Sequence, residues 1–331
     1  MFASIERTGN IYTANADFSW GEDLDAVIRI VSHHFADFNG NGFYPHPDEE
    51  SLQDELLTVP TLRELSLAMR QLNARGMAIH KLGLNALSES HRNAVLYAIA
   101  LTQGFPTSTD QRTQRVAWDV RSRSGAEQSS RFVTFSERTG SADMHTDSSF
   151  YPMPEEQFML YVVAAARCNG GQSLMVDVED IYDVLQSTDA GRAAYTILRD
   201  TPLPFRVPSV YAANDENVEY HLATVFTEPQ KTGDGLSIRW RYDSILKGLA
   251  IRPDLDSVEV AAALQLMNTI VEAGAPRFNK RLEDDTLLWA DNHHTLHGRA
   301  IYQDPGRHLI RIRISNTPNA HRIGPSGTSL D

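Results

Sequence analysis

Residues 307–314, Arg-His-Leu-Ile-Arg-Ile-Arg-Ile, alternate with the period of a β-strand, so Ile310, Ile312 and Ile314 share one face and Arg307, Arg311 and Arg313 the other. A strand apolar enough for a core that carries three guanidinium groups on one side needs anionic partners on that side. Surface salt bridges are the expected answer for Arg313. Arg307 and Arg311 stand about 13 Å apart in an extended chain rising ~3.3 Å per residue, too far to clamp one carboxylate. They call for two anionic groups, or for the two ends of one extended ligand.

The rest of the chain supplies helices first and strands later. Thr61 and Glu64, following Pro60, have capping-box spacing, and Leu62, Leu65, Met69 and Leu72 form one apolar face that ends near Gly76. A second helix is expected over 90–102, and residues 77–82 between the two alternate like a half-buried strand. Residues 158–164 read as a buried strand. Asn169-Gly170-Gly171 then supplies a tight turn, after which 172–176 is expected to return antiparallel as a hairpin. Asp177 caps a short helix whose Val178, Ile181, Tyr182 and Leu185 share a face. A strand over 236–242 would direct Arg239 and Arg241 to one side. A helix over 257–273 opens with Asp256 and Glu259 at capping-box spacing, turns Val260, Leu264, Met267 and Val271 inward and stops at Gly274. Strands resume at 286–290 and 307–314.

This order fits a mainly β architecture with helical buttresses, an antiparallel jelly roll or double-stranded β-helix, better than alternating βαβ units. The expected organisation is one domain over 1–331: a helix-rich part over 1–130, a jelly-roll core over 131–315 with a helical insertion near 250–275, and a tail over 316–331. With 331 residues, 41% of them hydrophobic, the chain can bury a sizeable core. Acidic residues (43) outnumber Lys plus Arg (30), a net charge of −13, so nucleic acid is not an expected partner. Cys168 is the single cysteine, which excludes an internal disulfide and any multi-cysteine zinc site. With no apolar run of membrane-spanning length and no basic-then-apolar start, a cytoplasmic protein without a membrane partner is expected.

His145 and Asp147 lie two apart, so in an extended segment both project from the same face. In a chain with 12 histidines, about one or two such His-X-acid triplets arise by chance, and alone the pair is ordinarily a surface hydrogen bond. A third ligand on a later strand changes its weight: two histidines and one carboxylate on one face of an octahedron leave three positions open, the arrangement of non-haem iron sites. His297 is the best candidate, because 292–299 follows an apolar strand and leads into the arginine-bearing one. His293 and His294 are expected to make ordinary hydrogen bonds only.

The succession His145-Thr-Asp-Ser-Ser-Phe150, Asn169-Gly-Gly-Gln-Ser173, Asp291-Asn-X-X-X-Leu-His-Gly-Arg299 and Arg307-X-X-X-Arg311 resembles the Fe(II)/2-oxoglutarate oxygenases of the taurine dioxygenase and clavaminate synthase type, over about residues 60–315. The resemblance implies that His145, Asp147 and His297 ligate ferrous iron, that Arg307 binds the distal carboxylate of 2-oxoglutarate and that Ser173, where members more often carry Thr, donates to it. Arg311 would lie nearer the metal, against the proximal carboxylate or an acidic group of the substrate. Cofactors would be Fe(II), 2-oxoglutarate and dioxygen. Asp147 disfavours halogenation, for which related enzymes put a small residue at this position. The expected reaction is hydroxylation of an unactivated C–H bond, with desaturation or cyclisation as alternatives from the same hydrogen abstraction. The implied substrate is a small polar molecule, an amino acid or derivative, free or tethered to a carrier. Ser148, Ser149 and Phe150 are candidate substrate contacts, against their plain role as turn residues; Arg239 and Arg241 are candidates too, against two exposed arginines.

Two rivals use the same residues. A jelly-roll module holding a structural metal normally supplies four protein ligands, and only three are found. A cupin-like isomerase using the metal as a Lewis acid leaves Arg307 without a purpose. His33, His34 and His221 lack a completing ligand set and are expected to be structural, and Cys168 to be inert.

Overall fold

The computed structural model describes residues 1–35, 44–108, 115–122, 139–208, 219–229, 235–274 and 277–322. The chain opens on a hairpin, β1 (Phe2–Thr8) and β2 (Ile11–Ala16), turned at Gly9 with φ +59°. Then come α1 (Glu22–His34), α2 (Glu49–Leu56), α3 (Pro60–Gln71), β3 (Gly76–His80), α4 (Glu89–Gln103) and β4 (Phe105–Thr107). The hairpin is absent from the helix-rich reading of this third. The expected capping box at Thr61 does not form. Pro60 is already helical, and Thr61 donates its N–H and Oγ1–H to Asp23 of α1 at 2.9 and 2.6 Å. A tertiary contact thus caps α3 where a local one was expected. Strand β3 is not half-buried either: it lies parallel to β2 and antiparallel to a late strand, and four of its five residues are buried.

Beyond β4 the order is β5 (Trp118–Arg121), β6 (Ala142–His145), β7 (Gln157–Ala164) and β8 (Ser173–Asp177), then α5 (Val178–Gln186), α6 (Asp189–Asp200), β9 (Leu203–Arg206), β10 (Tyr220–Ala223), β11 (Phe226–Thr227), β12 (Ser237–Ile238), α7 (Tyr242–Leu249) and α8 (Val258–Thr269). The chain closes with β13 (Phe278–Lys280), β14 (Thr286–Asp291), β15 (Thr295–Arg299) and β16 (His308–Ser315). The helix expected after Asp177 forms as α5, capped by that side chain, and α6 and α7 add helices between it and the expected one near 250–275. Ser257, not Asp256, caps α8, and a π-turn over Ile270–Gly274 ends it.

Two sheets face each other. The larger runs β1-β2-β3-β14-β7-β16-β4, with β5 also pairing β16; the smaller runs β13-β8-β15-β6. The expected β7–β8 hairpin does not exist, because β7 and β8 belong to different sheets. The intervening turn instead carries the chain across the sandwich. Gly171 takes φ +79°, and at Gly170 a Cβ would come 2.0 Å from the Ile301 carbonyl oxygen, so no other residue fits there. The architecture is the double-stranded β-helix with helical buttresses.

Burial divides the molecule into layers. Ile310, Ile312 and Ile314 of β16 pack with Leu62, Leu65 and α4, which is buried on every side from Arg92 to Thr102, on the outer face of the large sheet. A second cluster joins Val176, Leu296 and α5–α8 outside the small sheet. Between the sheets lie Phe158, Val162, Leu288 and Leu309 from one side and Met175 and Phe278 from the other. The interior thus continues past this apolar cluster along the odd-numbered face of β16, where its arginines stand. Among the described residues no helix is long and apolar enough to cross a membrane.

Glu49 of α2 is buried and accepts from the N–H and Nδ2 of Asn319, tying the end of the described chain to the helical layer. Burial pushes its carboxyl up to about 7 from the ordinary 4.5, against those hydrogen bonds. The folded state therefore favours the protonated acid, and the stability this gives below the ordinary value is lost as pH rises through about 7. The melting temperature is expected to fall between about pH 5 and about pH 8, and Glu49→Gln to flatten that slope. Parallel slopes in wild type and variant would refute the assignment.

Candidate active site

Strands β6 and β15 pair so that His145 lies directly opposite His297, cross-strand neighbours on one face of the small sheet. Their rings stand 4.3 Å apart between centroids, and Phe158 backs His297 at 4.2 Å. His145 Nδ1 donates to the Asp143 carbonyl at 2.8 Å, a bond that fixes the proton on Nδ1 and leaves the Nε2 lone pair facing inward.

Asp147 reaches the same point by a different route from the extended one expected. The strand ends at His145 and Asp147 begins a turn, which Thr146 anchors by exchanging hydrogen bonds with Trp240. Asn292 pins its backbone, accepting from Asp147 N–H at 2.7 Å and donating to Asp147 O at 3.1 Å and to Glu155 O at 2.7 Å. The outcome places Asp147 Oδ1 3.7 Å from His145 Nε2 and 3.9 Å from His297 Nε2. One ligand atom from each of the three residues lies within 4.8 Å of the others, and all three residues are buried. At Gly298 a Cβ would sit 2.8 Å from the Ala142 carbonyl, so glycine permits the close approach of β15 to β6.

The electrostatics favour a cation. Burial alone would raise the Asp147 carboxyl, but Arg311 and Arg313 outweigh it and hold it well below the usual range. Burial, reinforced by neighbouring His145, holds His297 well below its ordinary value and therefore neutral. Two imidazole nitrogens and one carboxylate with open space beyond them match an open metal site rather than a closed structural one.

That open space is a cavity between the sheets, lined by His145 and His297 at one end and by Ser173, Arg299 and Arg307 further in, with Arg311 also on its wall. Arg307 is buried, and its Nη1 has no acceptor among the described residues; Arg311 Nε and Nη2 are in the same state. Burial and then Arg299 lower the Arg307 guanidinium to about 10, which leaves it charged at neutral pH. Buried cationic donors without acceptors among the described residues call for an anionic ligand.

The structure differs from expectation around the rest of the site. Arg313 makes no surface salt bridge: it is 3% exposed and its Nε points at Asp147 Oδ2, 3.3 Å away. Arg239 turns away from the cavity, donating to the carbonyls of Ser149, Tyr151 and Pro152, while only Ser237–Ile238 of the expected strand over 236–242 is extended. Ser148, Ser149 and Phe150 are buried, Phe150 within the outer apolar cluster, and none lines either cavity beside His145. Arg241 does line the second of these cavities, with Asp143, Tyr242 and Asp243. Asn292, Arg299 and Glu155 are given no role by the sequence reading, and Arg313 only a surface one; the Asp-Asn and His-Gly-Arg fragments contain the first two, and the parity of β16 places Arg313 on the face of Arg311. His293 and His294 make ordinary bonds, to Pro154 O and to Asp291.

Comparison with known proteins bears on the same residues. A family model described as taurine catabolism dioxygenase TauD, TfdA family matches residues 60–313. Among solved structures, asparagine oxygenase in complex with Fe(II), 2S,3S-3-hydroxyasparagine and succinate is similar with a TM-score of 0.67 and 16% identity, over 96% of this chain and 98% of that one. The non-haem iron oxygenase OrfP in complex with Fe and α-ketoglutaric acid gives 0.62 and 14%, over 96% and 99%. No curated protein sequence matches the chain. Fold and family model define an Fe(II)- and 2-oxoglutarate-dependent dioxygenase that uses dioxygen to oxidise a small polar substrate. The chain belongs to the TauD/TfdA family.

Proposed function

We propose that this dioxygenase hydroxylates a free α-amino acid, with His145, Asp147 and His297 holding ferrous iron. Arg307 and Ser173 would receive the distal carboxylate of 2-oxoglutarate, and Arg311 the end nearer the metal. One observation carries the assignment: His145 and His297, whose ligand atoms lie with that of Asp147 within 4.8 Å of one another, line the same cavity as Arg307. The metal supplies the oxidising chemistry, and the protein supplies ligands, orientation and exclusion of water.

The second cavity shares Ala142 and His145 with the first, so a molecule in it lies beside the ligand set. Its walls carry a guanidinium, Arg241, and two carboxylates, Asp143 and Asp243, a mixed set suited to a zwitterion. A carrier-tethered amino acid would bring no free carboxylate to Arg241, which favours the untethered form. The similar structures, one named for asparagine and holding hydroxyasparagine, the other also solved with (3S)-hydroxy-L-Arg, support the same substrate class.

Anaerobic addition of Fe(II) and 2-oxoglutarate should produce a visible charge-transfer band. In air, a screen of free amino acids by mass spectrometry should then find one that gains a single oxygen atom while succinate accumulates. A protein that binds iron but gives no band with the keto acid would overturn the cosubstrate assignment. A band without any oxidised amino acid would overturn the substrate class alone.

A further inference from the structure

The two oxygens of the Asp147 carboxylate are not equivalent. Oδ1 is the one near both histidine Nε2 atoms, at 3.7 and 3.9 Å, and Arg311 Nη1 stands 3.4 Å from it. Oδ2 faces the other way, 3.3 Å from Arg313 Nε, and the side chains of both partners are only 3% exposed. No solvent competes for that contact, so its geometry is set by the protein.

Arg313 is itself held in place. Its backbone lies within β16, paired with Thr107 of β4 on one side and Phe158 of β7 on the other. Glu155, buried nearby and bonded by Thr107 Oγ1 at 3.2 Å and Arg322 at 3.3 Å, supplies a second negative charge. Burial raises the Glu155 carboxyl, but Arg322 and then Arg313 act against it and leave it below its ordinary value. The guanidinium is thus compensated on two sides and fixed at its root by two strands, which makes it a rigid stop rather than a mobile tether.

Resting on the assignment of His145, Asp147 and His297 as the metal ligands, we infer that Arg313 is a positioning residue that occupies Asp147 Oδ2 and confines this carboxylate to one-oxygen ligation. A carboxylate chelates a metal through both oxygens when both are free to turn toward it. Chelation here would fill one of the three positions that a two-histidine, one-carboxylate set leaves open. A keto acid binding through two atoms, together with dioxygen, needs all three. Arg313 therefore protects cosubstrate binding without touching metal or cosubstrate.

The test compares Arg313→Met, of similar length but unable to donate, with Arg313→Lys, which keeps a donor, using Co(II) and anaerobic Fe(II) titrations. In the Met variant metal affinity should hold or rise, while 2-oxoglutarate affinity falls about tenfold or more and the charge-transfer band shifts or fades, the scale on which outer partners of metal ligands act. The Lys variant should recover most of the keto acid affinity. A merely structural role would lower the melting temperature and weaken both ligands together, and that result overturns the inference. So does a Met variant that binds the keto acid like wild type. Should the Met variant not fold, Arg313→Gln, too short to reach Oδ2 from the same backbone, reads the same way. If the wild type binds no metal, the ligand assignment fails first, and if it binds metal without a band the cosubstrate assignment fails; if only the variants behave as wild type, the clamp alone fails.

Discussion

Arg307→Ala is expected to weaken 2-oxoglutarate binding by about 100-fold or more while leaving Fe(II) binding within about twofold, because truncating one partner of a buried charged pair costs about 2–5 kcal/mol. The magnitude follows from where the guanidinium stands. It is 5% exposed, with an Nη1 that no described protein atom accepts from, its Cζ 5.1 Å from the centre of the Tyr302 ring, and Arg299 nearby adding positive potential. A carboxylate arriving there replaces no strong protein partner and gains a fork of donors. Lysine offers a point charge without the fork, so Arg307→Lys should recover only part of the loss. Titration of the anaerobic charge-transfer band against keto acid concentration measures the effect, with Co(II) affinity as the control. Equal loss of both affinities would mean that Arg307 supports the sheet and not the cosubstrate.

Asp147→Ala is expected to abolish metal binding and also to destabilise the metal-free protein, by about 3–5 kcal/mol, the cost of leaving a buried charge uncompensated. Arg311 and Arg313 both lie against this carboxylate, and both are nearly inaccessible to water. His145→Ala removes a ligand without stranding a charge, so it should lose metal equally and keep most of the metal-free stability. Melting of the two variants in chelator, beside a Co(II) titration, separates the roles. If Asp147→Ala melts with or above His145→Ala, the arginine pair does not depend on the carboxylate as inferred.

Much of this site is legible in the order of residues. Alternation along 307–314 assigns the isoleucines and arginines to opposite faces, and the structure keeps that division. What alternation does not report is which faces are interior. β16 is buried on both sides, its isoleucines under the helices and its arginines toward the small sheet, so the surface partner expected for Arg313 does not exist. The misread turn at Gly170 has a similar origin. A Gly-Gly pair signals a sharp change of direction equally well for a hairpin and for a crossing between sheets, and only the close approach of Ile301 distinguishes them. Asp147 meets the two histidines through a turn rather than an extended segment, because the side chain of Asn292 holds its backbone, a contact that two-residue spacing does not report. Arg239 was separated from Arg241 because three carbonyls of the 149–152 turn needed a donor, a demand invisible along the chain.

By itself the sequence determined what is local or periodic: the apolar faces of helices, strand parity, and the presence of imidazole, carboxylate and guanidinium groups in a particular succession. Tertiary structure decided which of those groups meet, since pairing β6 with β15 joins His145 to a residue 152 positions later (297 − 145). It also decided which charges lie out of water, and so which are strong. Those outcomes depend on how two sheets stack, and stacking is a property of contacts summed over the whole chain rather than of any segment.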